Sequence, residues 1–179
     1  WTSGLGPRCS PSLERGLEHL KDSSAGLFLA LDVAKRMGVA VKTKTGVHTM
    51  VLDGDPVQQF EMLQDIFEDS LRGATVYIEE LNYQRNMRTV RSLSERIGYL
   101  RNSLQRLGAT VTMVSATAAR KALGVKSKDD VQVLFGTNTN DESDAIAVLH
   151  LGMRNDGIGF DVHGINITGG SYEPVVFPD

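Results

Sequence analysis

Apolar residues along this chain recur first with a period of two and short turns, then with a helical period, and the alternation repeats. LFLALDV (27–33) is a buried-strand run that carries an acid near its end. MGVAVKT (37–43) and VHTMVL (47–52) follow across short turns, the second containing Gly46, so three hairpin-linked strands are expected. Asp55 followed by Pro56 reads as an N-cap and first helical residue, and Val57, Phe60, Leu63, Phe67 and Leu71 recur at three- and four-residue spacing up to Gly73. ATVYIE (74–79) is a fourth strand, which a helical crossover places parallel to the first. Leu93, Ile97, Leu100, Leu104 and Leu107 mark a long helix from about Tyr83 to Leu107 with a narrow apolar stripe, closed by Gly108. ATVTMV (109–114) makes a fifth strand. Two short helical patterns between Thr117 and Phe135 are separated near Gly124, and a last helix starts near Asp141 and runs through Leu151.

The expected fold is therefore α/β, a five-stranded mixed sheet with helices on both faces, in one domain over residues 27–152. Residues 1–26 read as an N-terminal appendage, with a short helix over Leu13 to Leu20. Residues 153–179 read as a C-terminal tail of unassigned role, although INI (165–167) is strand-like.

With 41% hydrophobic residues in 179, the chain can bury a sizeable core. No run approaches the roughly 18 uncharged apolar residues of a membrane span, and residues 1–25 lack the basic-then-apolar order of a signal peptide. The expectation is a soluble protein of the cytoplasm, in a bacterial or phage-infected cell, with an organelle as the other compartment consistent with the sequence. Cys9 is the only cysteine, which excludes an internal disulfide and a cysteine-based zinc site, and His19, His48, His150 and His163 show no ligand-like spacing. There is no phosphate-binding loop and no dinucleotide fingerprint, so no nucleotide cofactor is expected.

A net charge of −3 argues against a polyanionic partner until its distribution is examined. Between Arg85 and Lys128 stand ten basic residues against one acid, Glu95, a segment charge of +9. Such a one-signed stretch is the footprint expected for nucleic acid.

Four acids are brought together by strand and helix reasoning. Asp32 lies near the end of the first strand and Glu79 at the end of the fourth, its expected neighbour, with Glu80 as the rival to Glu79. Asp141 and Asp144 sit three apart at the start of the last helix and point the same way. Taken singly, each acid has an ordinary explanation as a turn residue or helix cap. Four converging carboxylates make a field that cations relieve, and hard divalent ions prefer oxygen ligands. Two such ions about 4 Å apart hydrolyse phosphodiesters without a Ser, Cys or His nucleophile.

At these residues the chain resembles the RuvC-type Holliday junction resolvases of the RNase H-like superfamily. LALDVAKRMGVAV (29–41) resembles their first signature and VYIEE (76–80) the second, with Glu79 at the metal-binding position. Residues 91–132 are similar to the family's long helix, fifth strand and Ala-Arg-Lys segment, and DESDAIAV (141–148) resembles the closing acidic motif. The resemblance implies metal ligation by Asp32, Glu79, Asp141 and Asp144, with two Mg²⁺ ions for which Mn²⁺ can substitute. It also implies that Lys121 and Lys128 lie near the scissile phosphate or strand backbone, Lys126 taking the place of Lys128 if the register slips. Tyr83, Arg85 and Arg88, just beyond Glu79, would border the metal site and contact DNA. A homodimer acting on branched DNA is implied, with the long helix as candidate interface. The short span from Gln132 to Asp141 is more like phage-encoded members than the housekeeping bacterial enzyme. Two other readings stay open: a nuclease of the same fold acting on RNA or RNA–DNA hybrid, and a non-catalytic nucleic-acid-binding protein.

Overall fold

The computed structural model of the chain describes residues 26–44, 46–81, 86–162 and 165–171. The expected helix over Leu13 to Leu20, Cys9, Tyr83, Arg85 and the end of the tail lie outside the described residues. The first three strands, β1 (Phe28–Asp32), β2 (Arg36–Lys42) and β3 (Gly46–Asp53), form an antiparallel meander. Helix α1 (Pro56–Phe67) begins at a capping box in which Asp55 accepts from the Gln58 amide and Gln58 reaches back, with Pro56 at the first position. The sequence periodicity runs on to Leu71, but the α-helix stops at Phe67. Glu68 takes a left-handed φ of 48°, and the last turn, Glu68–Leu71, is a tighter 3₁₀ turn. Then come β4 (Thr75–Glu79), α2 (Met87–Leu107), β5 (Thr110–Val114), α3 (Ala116–Ala122), α4 (Lys128–Phe135) and α5 (Asn140–Asn155). The long helix starts at Met87 rather than near Tyr83, because the Asn86 side chain caps it by accepting from the Thr89 amide.

Among the described residues the sheet has six strands, not the expected five. Residues Asn166–Ser171 form β6, which pairs parallel to β3 from Gly46 opposite Asn166 to Val51 opposite Ser171, giving the order β5-β4-β1-β2-β3-β6. The strand-like INI (165–167) could not be placed in the sheet from sequence, because NITGGS has a single large apolar residue and two glycines and shows no alternation. It is held by backbone pairing to β3 and by the His48 Nδ1 to Thr168 Oγ1 contact of 2.9 Å. Burial lowers the His48 pKa to about 4, so this imidazole is neutral at pH 7.

The two-residue period of the strands sorts their side chains onto two cores. Leu29, Leu31, Val39, Val41, Val76 and Ile78 face α1 and α2, whose Leu63, Phe67, Leu100 and Leu104 complete that layer. Ala30, Ala40 and Tyr77 face the other way, toward α3, α4 and α5. Helices thus cover both faces, as expected. Ala30 and Ala40 are cross-strand partners, and this pair of small residues makes a shallow bed for α5, which is buried along most of its length. At the far end of α5 the buried Tyr77 hydroxyl donates to Asp156 at 2.6 Å. No helix among the described residues is long and apolar enough to cross a membrane.

One fully buried polar side chain ties this framework to the turn that follows Asp32. Gln59 Nε2 donates to the carbonyls of Ala34, Lys35 and Leu52 at 2.8, 3.1 and 3.0 Å, and Arg96 on α2 donates to the Gly54 carbonyl at 3.0 Å beside it. Removing a buried partner of this kind costs about 1–3 kcal/mol. Gln59→Leu is therefore expected to lower unfolding stability by about that amount, measured as a shift in the urea midpoint at unchanged slope. An unshifted midpoint would show that the three carbonyls find other donors.

Candidate active site

The alternation that sorts the two cores also aims two acids. Asp32 follows Ala30 by two residues and Glu79 follows Tyr77 by two, so both carboxylates project toward the α5 face. Strands β1 and β4 are parallel and in register, with Leu31 beside Ile78, which sets Asp32 and Glu79 side by side at the strand ends. Glu80, one residue on, is exposed and donates its amide to the Val114 carbonyl.

The third acid arrives through a close backbone contact. Gly38 is the cross-strand partner of Asp32, and a Cβ placed on it would lie 2.0 Å from the carbonyl oxygen of Asp141. Only glycine lets the start of α5 rest directly on β2 at this point. That approach carries Asp144 to the two strand-end acids, and one oxygen from each of Asp32, Glu79 and Asp144 lies within 4.8 Å of the others.

Burial raises the pKa of Asp32 well above the ordinary carboxylate range, reinforced by a hydrogen bond to Glu79 and by the charges of Glu79 and Asp144. Asp144 is also shifted upward, chiefly by burial, although Lys128 opposes the shift. The Lys128 ammonium stands 3.2 Å from Asp144 Oδ2. Burial on its own would depress the Lys128 pKa, but the charges of Asp144, Asp32 and Glu79 outweigh it and the net direction is up. Among the described residues, the buried Glu79 Oε2 atom has no hydrogen-bond partner, and Asp144 Oδ2 has only the ion pair to Lys128. An orphaned carboxylate oxygen beside two further buried acids is a donor set suited to a hard divalent cation.

The other residues singled out from sequence are less concentrated. Asp141 is half-buried, its pKa raised mainly by desolvation, and it is not among the three acids that converge. Lys121 and Lys126 are exposed, as is Arg88 in the first turn of α2. Arg120, the neighbour of Lys121, lies close enough for its charge to lower the proton affinity of Asp144. Sequence reasoning passed over Arg120, because nothing in an Ala-Arg-Lys triplet says which cation turns inward. It also passed over Gly38 as a packing contact and Glu142 as a buried acid. Asp-Glu-x-Asp is a common solvated helix start, and only the seating of α5 on β2 and β3 buries its second member.

The raised Asp32 pKa gives a stability test. Well below the ordinary aspartate value of 3.8 both folded and unfolded chains hold the proton and no penalty exists; as pH rises the unfolded chain ionises first, so stability falls until the raised folded pKa is passed. Without divalent metal, Asp32→Asn is expected to melt higher than wild type at pH 7–8, by about 2–4 °C per kcal/mol recovered, with the gap closing toward pH 3.5. Melting curves in EDTA across that range measure it, and a pH-independent gap would refute a buried-charge origin.

No protein-family model and no curated protein matches the sequence. Solved structures do match. RuvC of T. thermophilus in complex with a Holliday junction substrate superposes with a TM-score of 0.55 at 14% identity, covering 74% of this chain and 97% of that one. A second Thermus thermophilus RuvC structure gives 0.50 at 16% identity, covering 73% and 96%. At such identities the shared property is architecture: this chain has the RNase H-like fold of RuvC.

Proposed function

We propose that the chain is a RuvC-type structure-selective endonuclease that resolves Holliday junctions or other branched DNA. The observation that carries this reading is the convergence of buried Asp32 and Asp144 with the partly buried Glu79, whose Oε2 has no partner among the described residues, in a fold shared with a protein solved on a Holliday junction. Asp32, Glu79 and Asp144 would hold the first Mg²⁺ ion, or Mn²⁺ in its place, and Asp141, outside the trio, would serve a second. When bound, such cations would supply an activated water as nucleophile and charge stabilisation for the leaving oxygen in phosphodiester hydrolysis. Lys128, poised at the trio, offsets negative charge that builds on the phosphate, and Arg120 adds to it from α3. Lys121, Lys126 and Arg88 are exposed cations for the DNA backbone, and Tyr83 and Arg85 are assigned the same role from their sequence positions. A homodimer would present two such sites to the two-fold symmetry of a four-way junction.

Cleavage assays on labelled four-way junction, flap, linear duplex and RNA–DNA hybrid, with Mg²⁺ or EDTA, test this. The expected result is paired symmetric nicks in the junction that require Mg²⁺. Asp32→Asn or Asp144→Asn should lower the rate by more than about 100-fold, the upper range for loss of a mere outer-shell partner, while junction binding persists. Cutting of hybrid alone would move the substrate to RNA, and no cutting of any substrate would leave a binding protein.

Lys126→Ala and Arg88→Ala address the backbone contacts separately. Each is expected to weaken junction binding uniformly across sequences and reduce the salt slope by about one, with the rate at saturating enzyme unchanged. A rate loss at saturation would place that cation at the reacting phosphate instead.

A further inference from the structure

Glu142 is the acid between the two aspartates of α5, and it takes no part in the trio. Its residue is only 2% exposed, and both carboxylate oxygens are engaged by hydroxyls rather than by a cation. Thr49 Oγ1 on β3 donates to Oε2 at 2.7 Å, and Thr139 Oγ1, the N-cap of α5, donates to Oε1 at 3.0 Å. The same Thr139 oxygen accepts from the Glu142 amide at 3.2 Å, so cap, acid and first helical turn close on themselves. Thr49 is itself buried and has β6 against it: a Cβ on Gly169 would lie 2.0 Å from the Thr49 carbonyl oxygen and 2.6 Å from Oγ1. Gly169, at φ 145°, leaves the Thr49 hydroxyl room to point at Glu142.

A buried carboxylate is costly unless its oxygens are satisfied, and here the donor from β3 satisfies one of them at a distance typical of charge-assisted bonds. Leaving it unmet would cost more than a neutral group in the same place. The rotation and height of the first turns of α5 are consequently set from β3, three strands from Glu79, and these turns carry Asp141 and Asp144.

We propose that Glu142 is a positioning residue, locked by Thr49 beneath the C-terminal strand β6, which holds the acid-bearing first turns of α5 in place. The proposal deepens the metal-nuclease reading and rests on it for its consequence in metal binding. Strand β6, whose residues form no part of the trio, thereby reaches the site through two side chains.

The test uses the full chain as wild type, Thr49→Val and Thr49→Ser, with amide hydrogen exchange in EDTA and calorimetric titration with Mn²⁺. Valine keeps the shape of threonine without the donor, and serine restores the donor. Thr49→Val should exchange faster at amides 142–145 while the β1 and β4 amides keep their rates, and should bind Mn²⁺ up to about 10-fold more weakly, the lower end of the range for losing a partner bonded to a ligand itself, because Thr49 acts on Asp144 only through Glu142. Thr49→Ser should recover both. Unchanged exchange at 142–145, or faster exchange with wild-type Mn²⁺ affinity, would overturn the proposal. Uniform acceleration across the sheet would overturn it as well, because Thr49 would then be serving general stability. If wild type itself bound no Mn²⁺ while Thr49→Val still loosened 142–145 and Thr49→Ser restored them, the lock would stand and the metal reading would fall.

Discussion

The seating of α5 on β2 is the contact on which the rest of the site depends. Strand alternation can aim Asp32 and Glu79 at one face, but two acids at adjacent strand ends make only a pair that disfavours ionisation. The helix must come within backbone distance of the sheet before a third carboxylate joins them, and the absent side chain at Gly38 permits that, directly opposite Asp32. Further along, Ala30 and Ala40 keep the bed shallow. The geometry of the acids and the packing of the second core are therefore one solution to one steric problem.

Local preferences give way where the acids meet. Two buried carboxylates and a partly buried third within a few ångströms are unfavourable in a fold optimised for stability alone. Lys128 occupies the first position of α4, where the helix dipole disfavours a cation, yet there its ammonium reaches Asp144. A rule broken at a helix start and a penalty accepted at two strand ends converge on one spot, as expected of residues kept for chemistry rather than for folding.

Much of this was legible in the sequence, and the reasons for success and failure are physical. Hydrophobic period alone located β1 to β5 and the helices between them, because each has one face against a core. It overran the end of α1, where the apolar spacing continues through a 3₁₀ turn, and it marked only INI (165–167) of β6 and gave it no place in the sheet, because that glycine-rich backbone pairs without burying an apolar stripe. Asp32, Glu79 and Asp144 were readable as a set, since each closes or opens an element whose position in the sheet follows from topology. Asp141 was grouped with them on helical spacing, but a three-residue step also means a rise along the axis, and it lies outside the trio. Glu142 and Arg120 depend on which way a helix is turned after docking, which no single sequence window encodes.

Helix α5 is clamped at both ends, by Gly38 and the Thr49–Glu142–Thr139 contacts at its start and by the Tyr77 hydroxyl on Asp156 beyond its last turn. A beam fixed at two points neither slides nor rolls without breaking the sheet beneath it. Its carboxylates are thus tied to the sheet through the same contacts that seat the helix, whereas Lys128, which completes the ion pair with Asp144, comes from the short α4 and is half-exposed. The acids belong to the foundation of the fold, and the cation beside them is carried on a smaller and more open element.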